Sequence, residues 1–408
     1  MRSRTQSGIA LALTLLASVA LAAGCGESGP PGPPPVRIGA LLSATGLGLE
    51  SYDSAFRASA RAINAHGGVR GRPVEVDVCD DQADPNLAQA CARRLVSDGV
   101  VATANDASEL TMVEGPILQE AGIPRVGNFP LNIEDSTLPN AFPIDPGLFG
   151  QLAGDLVGVR RRGLHSLFVV TMDTPPARTQ FQLAGALLKA ADVAVAGVAY
   201  VPAAATDYVP YVRAAAQSRA DVVYPLLPRQ MAVPYLLTAA HAGSRPVYAV
   251  PFGVFQTSDL AQLGGRATPI EDDIEFSPTP PLSAADRFPA IRQFQADMDA
   301  EYRAGDRGAA PVLRSPGSLS SWLMIQIIAR LAATLPSVDA ARLMQALQSR
   351  PTVDTLGLTP PWTPGATGQA PFTRVTNLSG YLLTRKDGES VLVDPAPFNP
   401  FALLRPGA

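Results

Sequence analysis

The apolar positions of this chain recur at two spacings that alternate along most of its length. Val36 to Leu42 is a short apolar run typical of a buried strand, and a polar loop at 43–48 follows it. Phe56, Ala60 and Ile63 then recur at helical spacing until two glycines end the pattern at 67–68. The same reasoning predicts further strands at 73–79, 100–102, 124–126, 166–171, 193–200, 221–224 and 247–250. Further helices are predicted at 85–98, 107–121, 148–161, 177–190, 208–218 and 230–242.

This alternation of strands and helices predicts an α/β fold in which crossover helices connect parallel strands. The rhythm breaks at Asp145-Pro146-Gly147 and then resumes, so we expect two lobes, each with a parallel sheet flanked by helices. A Pro-rich loop at 268–281 precedes three more helices, at 286–303, 317–335 and 338–349. The middle one is apolar on nearly every side, which indicates a buried helix.

The first 25 residues have the layout of a secretory signal. Arg2 and Arg4 precede an apolar run at 8–23, and small residues lead to Cys25. The sequence LAAGC at 21–25 resembles the lipobox of bacterial lipoproteins, in which the cysteine receives a diacylglycerol once the leader is removed. A plain signal peptide or a membrane anchor is the alternative, although the run is shorter than the ~20 residues of a spanning helix. We expect residues 1–24 to be the signal peptide, Cys25 to be lipidated and 25–35 to be a Pro/Gly linker.

This interpretation places the mature protein outside the cytoplasm, held by lipid on the outer, periplasmic face of the cell membrane, because two acyl chains suffice for stable anchoring. Cys79 and Cys91 remain as an even pair in an oxidising compartment, which favours a disulfide between them. The alternative is that Cys91 is a buried thiol on the apolar face of its helix.

The charge balance argues against nucleic acid as a partner. The formal net charge of −4 becomes −6 once Arg2 and Arg4 leave with the signal peptide, whereas phosphate binding needs basic stripes. Catalytic signatures are missing as well: the sequence has no Walker loop, HExxH or GxSxG, and its three histidines lack metal-ligand spacing. We therefore expect no metal, no cofactor and no enzymatic activity.

Several segments together resemble one family, the type I solute-binding proteins that include the leucine/isoleucine/valine-binding proteins of ABC importers. They are INAHGGVRGRPVEV at 63–76, DDQADP at 80–85, RRLV at 93–96, GIP at 122–124, DVVY at 221–224 and WTPG at 362–365. The resemblance implies a ligand cleft between two lobes that close about a hinge. It implies three crossings, which we place near 142–146, 274–281 and 352–358. The N-terminal lobe is then 36–143 plus 279–353, and the C-terminal lobe 144–278 plus 354–408.

The resemblance also points to ligand-binding residues in the N-terminal lobe. Relatives hold a carboxylate with hydroxyls and backbone N–H groups at a helix N-terminus. The matching segment is 103–111, where Ser108 lies at the position of the family hydroxyl and Thr45, in the loop after the first strand, is a further candidate. Asp106 and Glu109 have the spacing of a capping pair, so Asp106 is either a ligand contact or a helix cap.

In the C-terminal lobe, Phe252 stands where relatives carry the acid that holds a ligand ammonium. A buried ammonium without a carboxylate is costly, so we expect a free α-amino acid such as leucine to bind poorly. Phe129 and Phe252 suit an apolar or aromatic ligand body, or they belong to the core. Arg178 and Arg229 could hold a ligand carboxylate, or they are surface arginines. The solute expected is amino acid-like or an apolar or aromatic acid.

The expected function is capture of a small organic molecule for delivery to an ABC permease and its ATPase subunits. A sensor of the same fold that reports its ligand to a signalling partner is the alternative. A surface hydrolase is disfavoured because no nucleophile–base set is evident. Delivery by such a receptor requires that the ligand favour the closed form over the open one.

Overall fold

The computed structural model describes residues 33–404 apart from positions 48, 105, 350 and 369. The predicted signal peptide and the lipidation of Cys25 lie outside these residues. The predicted α/β class is confirmed, with parallel sheets flanked by helices. No helix among the described residues is both long and apolar enough to span a bilayer.

The first sheet has five parallel strands in the order β2-β1-β3-β4-β5. These strands are β1 (Val36–Leu42), β2 (Val74–Asp80), β3 (Ala102–Ala104), β4 (Arg125–Val126) and β5 (Ala141–Phe142). The helices between them are α1 (Ala44–Leu47), α2 (Glu50–Ala65), α3 (Pro85–Ser97) and α4 (Thr111–Glu120). Asp84 caps α3 as the sequence indicates, because its carboxylate accepts hydrogen bonds from the backbone N–H groups of Asn86 and Leu87.

Helix α4 begins four residues later than the sequence predicts. Ala107 instead forms a parallel bridge to Leu42 at the end of β1. The N-cap position of α4 is Leu110, whose side chain makes no capping hydrogen bond. Of the two roles that the sequence leaves open for Asp106, the helix cap is therefore excluded, since Asp106 lies five residues before the helix begins.

The second sheet has four parallel strands in the order β7-β6-β8-β9. They are β6 (Ser166–Met172), β7 (Ala194–Val201), β8 (Val222–Leu226) and β9 (Val247–Tyr248). The accompanying helices are α5 (Gly147–Arg161), α6 (Pro175–Ala190), α7 (Val209–Ser218), α8 (Arg229–His241) and α9 (Thr257–Gln262). All of these except α9 lie within three residues of the bounds that periodicity predicts.

A third, antiparallel sheet was not predicted. It has the order β10-β11-β12, with β10 (Glu275–Ser277) in the segment expected to be a Pro-rich loop. Strands β11 (Tyr381–Lys386) and β12 (Glu389–Leu392) come from the C-terminal segment, which precedes the short helix α13 (Pro400–Leu403). Asp155 on α5 ties this sheet to its neighbour: it accepts hydrogen bonds from the Phe276 amide at 2.7 Å and from the Tyr224 hydroxyl at 3.1 Å.

The largest hydrophobic cluster forms around α11 (Pro316–Ala333), which is buried as the sequence indicates. Helices α10 (Pro289–Arg303) and α12 (Ala340–Gln348) flank it in the chain and contribute to the same cluster. Trp322 and Trp362 are each 1% exposed there. Their indole N–H groups reach Asp297 at 2.8 Å and Thr376 at 3.0 Å, so each buried indole is satisfied. Separate clusters surround the second sheet.

Candidate ligand site

A cavity of about 230 Å³ lies between the first and second sheets. Segments that follow β1, β3, β4 and β5 line it, and so do segments that follow β6, β8 and β9. The start of α11, the segment after β10 and Thr359 supply the remainder. The cavity is therefore at the carboxyl ends of both parallel sheets, which is where open α/β sheets bind their ligands.

Most of the side chains around this cavity are apolar. They are Leu49, Ala107, Phe129, Leu131, Ile144, Leu148, Met172, Leu226, Leu227, Pro228, Pro251, Phe252, Val254, Pro278 and Leu323. Phe129 also packs against the hydrophobic cluster around α11, so it has a core contact and a cavity contact at once. Such a lining suits a solute with an apolar body.

Three of the residues predicted to bind ligand line this cavity: Phe129, Phe252 and Arg229. Thr45, Asp106, Ser108 and Arg178 are not among its lining residues. Thr45 is exposed, and its hydroxyl donates to the Asp80 carboxylate. Arg178 is exposed too, where it pairs with Asp173 at 2.7 Å and lies over the Tyr200 ring.

Ser108 is buried against an internal carboxylate, that of Asp81. The Ser108 hydroxyl donates to one Asp81 oxygen at 2.5 Å, and the Ser43 hydroxyl donates to the other at 2.7 Å. The Ala83 amide also donates to Asp81, which is itself fully buried. The sequence signal for this arrangement is the pair of acids at 80–81.

Asp106 belongs to a buried ionic network centred on Arg125. The Arg125 guanidinium is fully buried and contacts Asp106 at 3.0 Å and Asp135 at 2.8 Å. Asp135 in turn accepts hydrogen bonds from the backbone amides of Leu131 and Asn132. The network thus fixes the loop that carries Phe129 and Leu131 to the edge of the cavity.

That loop also contacts α6, a helix of the second sheet. The Leu131 carbonyl accepts a hydrogen bond from the Gln180 side chain on α6 at 3.2 Å. Because Leu131 follows β4 and Gln180 follows β6, this contact crosses the cavity from one sheet's loops to the other's helices.

Arg229 contacts the cavity while its charge is already paired. Two of its guanidinium nitrogens bind the Asp259 carboxylate, at 2.6 and 2.7 Å, in a bidentate arrangement. Asp259 is nearly buried, so the pair is shielded from water on that side.

Sequence reasoning missed a polar group around Asp145, where the sequence indicated only a break between lobes. Asp145 is 5% exposed and lines the cavity; the Gly147 amide donates to one of its oxygens at 2.7 Å. Burial raises the pKa of Asp145 to about 7. Gln151 and Thr279 are 1% and 3% exposed, and both line the same cavity. Within the described residues, the Gln151 Nε2 and Thr279 Oγ1 atoms have no hydrogen-bond partner.

The Cys79 and Cys91 sulfurs are bonded, which joins β2 to α3. Over the part of the chain that the structure describes, no group of three or more His, Cys, Asp or Glu side chains could hold a metal ion.

Comparison with known proteins agrees with this architecture. The family model described as periplasmic binding protein matches residues 35–376, so the chain belongs to the periplasmic binding proteins. Proteins of this family act outside the cytoplasm and bind solutes without transforming them. The resemblance seen in the sequence is thus confirmed at the level of the family, and a search of curated proteins finds no match.

Solved structures share the fold at low sequence identity. A substrate-binding periplasmic protein from Ralstonia solanacearum is 16% identical, with a TM-score of 0.72 over 88% of this chain and 99% of that one. A solute-binding protein of an ABC transporter from R. palustris, in complex with 4-hydroxybenzoate, is 18% identical, with a TM-score of 0.69 over 89% and 97%. LivJ from Streptococcus pneumoniae, in complex with isoleucine, is 15% identical, with a TM-score of 0.69 over 88% and 100%.

Proposed function

We propose that this protein is the solute receptor of an ABC importer, anchored to the membrane by lipid on Cys25. It captures a small, largely apolar organic molecule between its lobes and presents it to the permease and its ATPase subunits. The observation that carries this proposal is the cavity at the carboxyl ends of both sheets, lined by loops from each. The family membership supports the extracytoplasmic setting.

The sequence suggests lobes of 36–143 plus 279–353 and 144–278 plus 354–408, and the proposal keeps these bounds except at the third crossing. Two contacts favour a later third crossing than 352–358. Trp362 still packs in the cluster around α11, and the Asn377 side chain donates to the Ile144 carbonyl at 2.8 Å beside the first crossing. We therefore propose that the third crossing runs through residues 374–380, next to the first.

Closure in this proposal brings the Leu131 carbonyl against Gln180 on the opposite side of the cavity. A ligand shifts the protein toward this form only to the extent that it binds the closed state more tightly than the open one. The loop that bears Leu131 is held rigidly by Asp135, so the edge of the cavity is preorganised before ligand arrives.

The test combines binding and uptake. The mature protein is screened by thermal shift against small amines, amides, aromatic acids and short fatty acids, since a ligand at a hundredfold excess over Kd stabilises by roughly 2.7 kcal/mol. Phe252→Ala should weaken binding of any hit, whereas Leu183→Ala, which trims an exposed side chain outside the cavity lining, should not. Deletion of the gene should abolish uptake of the hit compound. Intact uptake after deletion would contradict the importer role and favour a sensor.

A further inference from the structure

The donors that could hold a ligand carboxylate in the N-terminal lobe are already occupied. Ser43 and Ser108 direct their hydroxyls at the buried carboxylate of Asp81. The backbone amides of Glu109 and Leu110, which come next in the chain, donate to the hydroxyl oxygens of Ser43 and Ser108. An incoming anion would have to displace Asp81, and two carboxylates in one buried site repel each other.

The remaining cationic side chain of the lining does not offer its charge either. Among the described residues around the cavity, Arg229 is the one arginine or lysine, and Asp259 neutralises it through two short hydrogen bonds. The lining also contains two further carboxylates, Glu109 and Asp145. When ionised, they give the cavity a net negative charge, which disfavours an anionic ligand.

Asp145 differs from Asp81 and Asp135 because, among the described residues, no cation pairs with it and no side chain donates to it. Asp81 is matched by hydroxyl donors and Asp135 by Arg125, but Asp145 forms no ion pair among the described residues. Its one hydrogen-bond donor in that part of the chain is the Gly147 amide. Burying an ionised carboxylate without a cation costs free energy, and this burial raises the pKa of Asp145.

Gln151 and Thr279 add an independent observation at the same cavity. Both side chains are more than nine-tenths buried, and each has a polar atom without a partner in the described structure. Buried polar groups are nearly always hydrogen-bonded, so an amide nitrogen and a hydroxyl left unsatisfied beside a cavity indicate that a bound molecule completes them. Together with Asp145 they provide an acceptor, a donor and a hydroxyl that can be either.

We propose that the solute ends in a nitrogen group with N–H donors, a carboxamide or a protonated amine, beside Thr279: Asp145 accepts a hydrogen bond from either group, and a carboxamide oxygen also accepts one from Gln151 Nε2. This inference rests on the proposed function and specifies the class of its ligand. Two structural neighbours are in complex with isoleucine and 4-hydroxybenzoate, and each of these ligands carries a carboxylate. The proposed end group distinguishes this chain from those neighbours. The apolar body of the solute occupies the wall that contains Phe129 and Phe252.

The experiment compares end groups on a constant apolar body. Binding of the mature protein is measured by calorimetry for isoamylamine, isovaleramide and isovalerate, and for phenethylamine, phenylacetamide and phenylacetate. We expect the amine or the amide of at least one body to bind at least tenfold more tightly than its carboxylate. Asp145→Asn should remove the preference for amine over carboxylate. Asp192→Asn, the same change at an exposed site outside the cavity lining, should leave the preference as it is.

Each other result overturns the proposal. Tighter binding of a carboxylate, or a preference for amine over carboxylate that survives Asp145→Asn, would overturn the proposed end group but not the importer role. If none of the six compounds binds, the proposed end group is wrong, and gene deletion then decides separately whether the importer role fails with it. Should Asp145→Asn not fold by circular dichroism, Gln151→Met replaces it, because it keeps the side-chain volume, removes the amide and should weaken amide binding at least fivefold.

Discussion

Replacing Asp135 by asparagine tests whether the buried network around Arg125 holds the edge of the cavity. Asp135 accepts hydrogen bonds from five donors: Thr111, Arg125, Asn128, Leu131 and Asn132. An asparagine keeps the shape but turns one acceptor into a donor, which then faces either the guanidinium or the two loop amides. Arg125, fully buried, keeps Asp106 as a charged partner.

The expected cost follows from isolating the arginine rather than from losing an attractive pair. Burial raises the pKa of Asp135 even beside Arg125, so the desolvation of the carboxylate outweighs the attraction between the two groups. Breaking a buried pair nevertheless costs about 3–5 kcal/mol because a buried charge is left uncompensated. Since Asp106 remains, we expect the lower end, about 3 kcal/mol. That value lowers the folding equilibrium constant by roughly a hundredfold.

Tryptophan fluorescence during urea unfolding is a suitable assay. The chain has two tryptophans, and both lie in the hydrophobic cluster around α11, against the first sheet. Asp53→Asn is the matched control: Asp53 pairs with Arg57 one helical turn away on an exposed face, and we expect a loss of about 0.5 kcal/mol or less. A free energy of unfolding for Asp135→Asn within about 1 kcal/mol of the wild type would refute the reasoning.

Three further predictions concern stability. Replacing Cys79 and Cys91 by serine should lower the free energy of unfolding by about 3 kcal/mol under oxidising conditions, from the entropy of the short loop that the bond closes, and urea unfolding measures it. Gly154→Ala should lower the free energy of unfolding by about 1–3 kcal/mol or more, because the new Cβ would lie 2.0 Å from Phe276. Gly185→Ala has open space around it and should stabilise its helix by about 0.5–1 kcal/mol. Thermal unfolding that ranks the two variants in the other order would contradict this. Burial raises the pKa of Glu114 to about 9, so the folded state keeps a proton that the unfolded chain releases near pH 4.5. The stability due to this group is therefore present below pH 4.5 and is lost as the pH rises toward 9. Glu114→Gln should flatten that decline in urea titrations at several pH values.

Periodicity predicted the elements that bury one face against a large core. The strand at Val36–Leu42 matches its predicted bounds, and α5 and α11 each match to within two residues. Strand β10 was missed because its three residues lie among prolines, and β11 because its burial depends on pairing with β10. Such pairing is set by distant parts of the chain, which one sequence does not display.

The candidate site was less predictable than the fold. Phe129, Phe252 and Arg229 obey the rule that ligand residues follow the strands of a parallel sheet, and the family resemblance singled out Phe252. Ser108 and Asp106 follow the same rule but turn toward Asp81 and Arg125. Which way a buried side chain turns depends on its charged partners, and those partners lie far away in the sequence.

The position of α11 in the chain imposes an order on biosynthesis. Strands β1 to β5 end at Phe142, yet α11, which covers part of their sheet beside α2, begins only at Pro316. Residues 143–315, with all of the second sheet, are translated in between. The segment that forms β1 to β5 therefore leaves the ribosome with part of its apolar face uncovered until the last quarter of the polypeptide follows. A chaperone that shields this nascent surface should associate with intermediates cut short before residue 316 and release those that extend past residue 333.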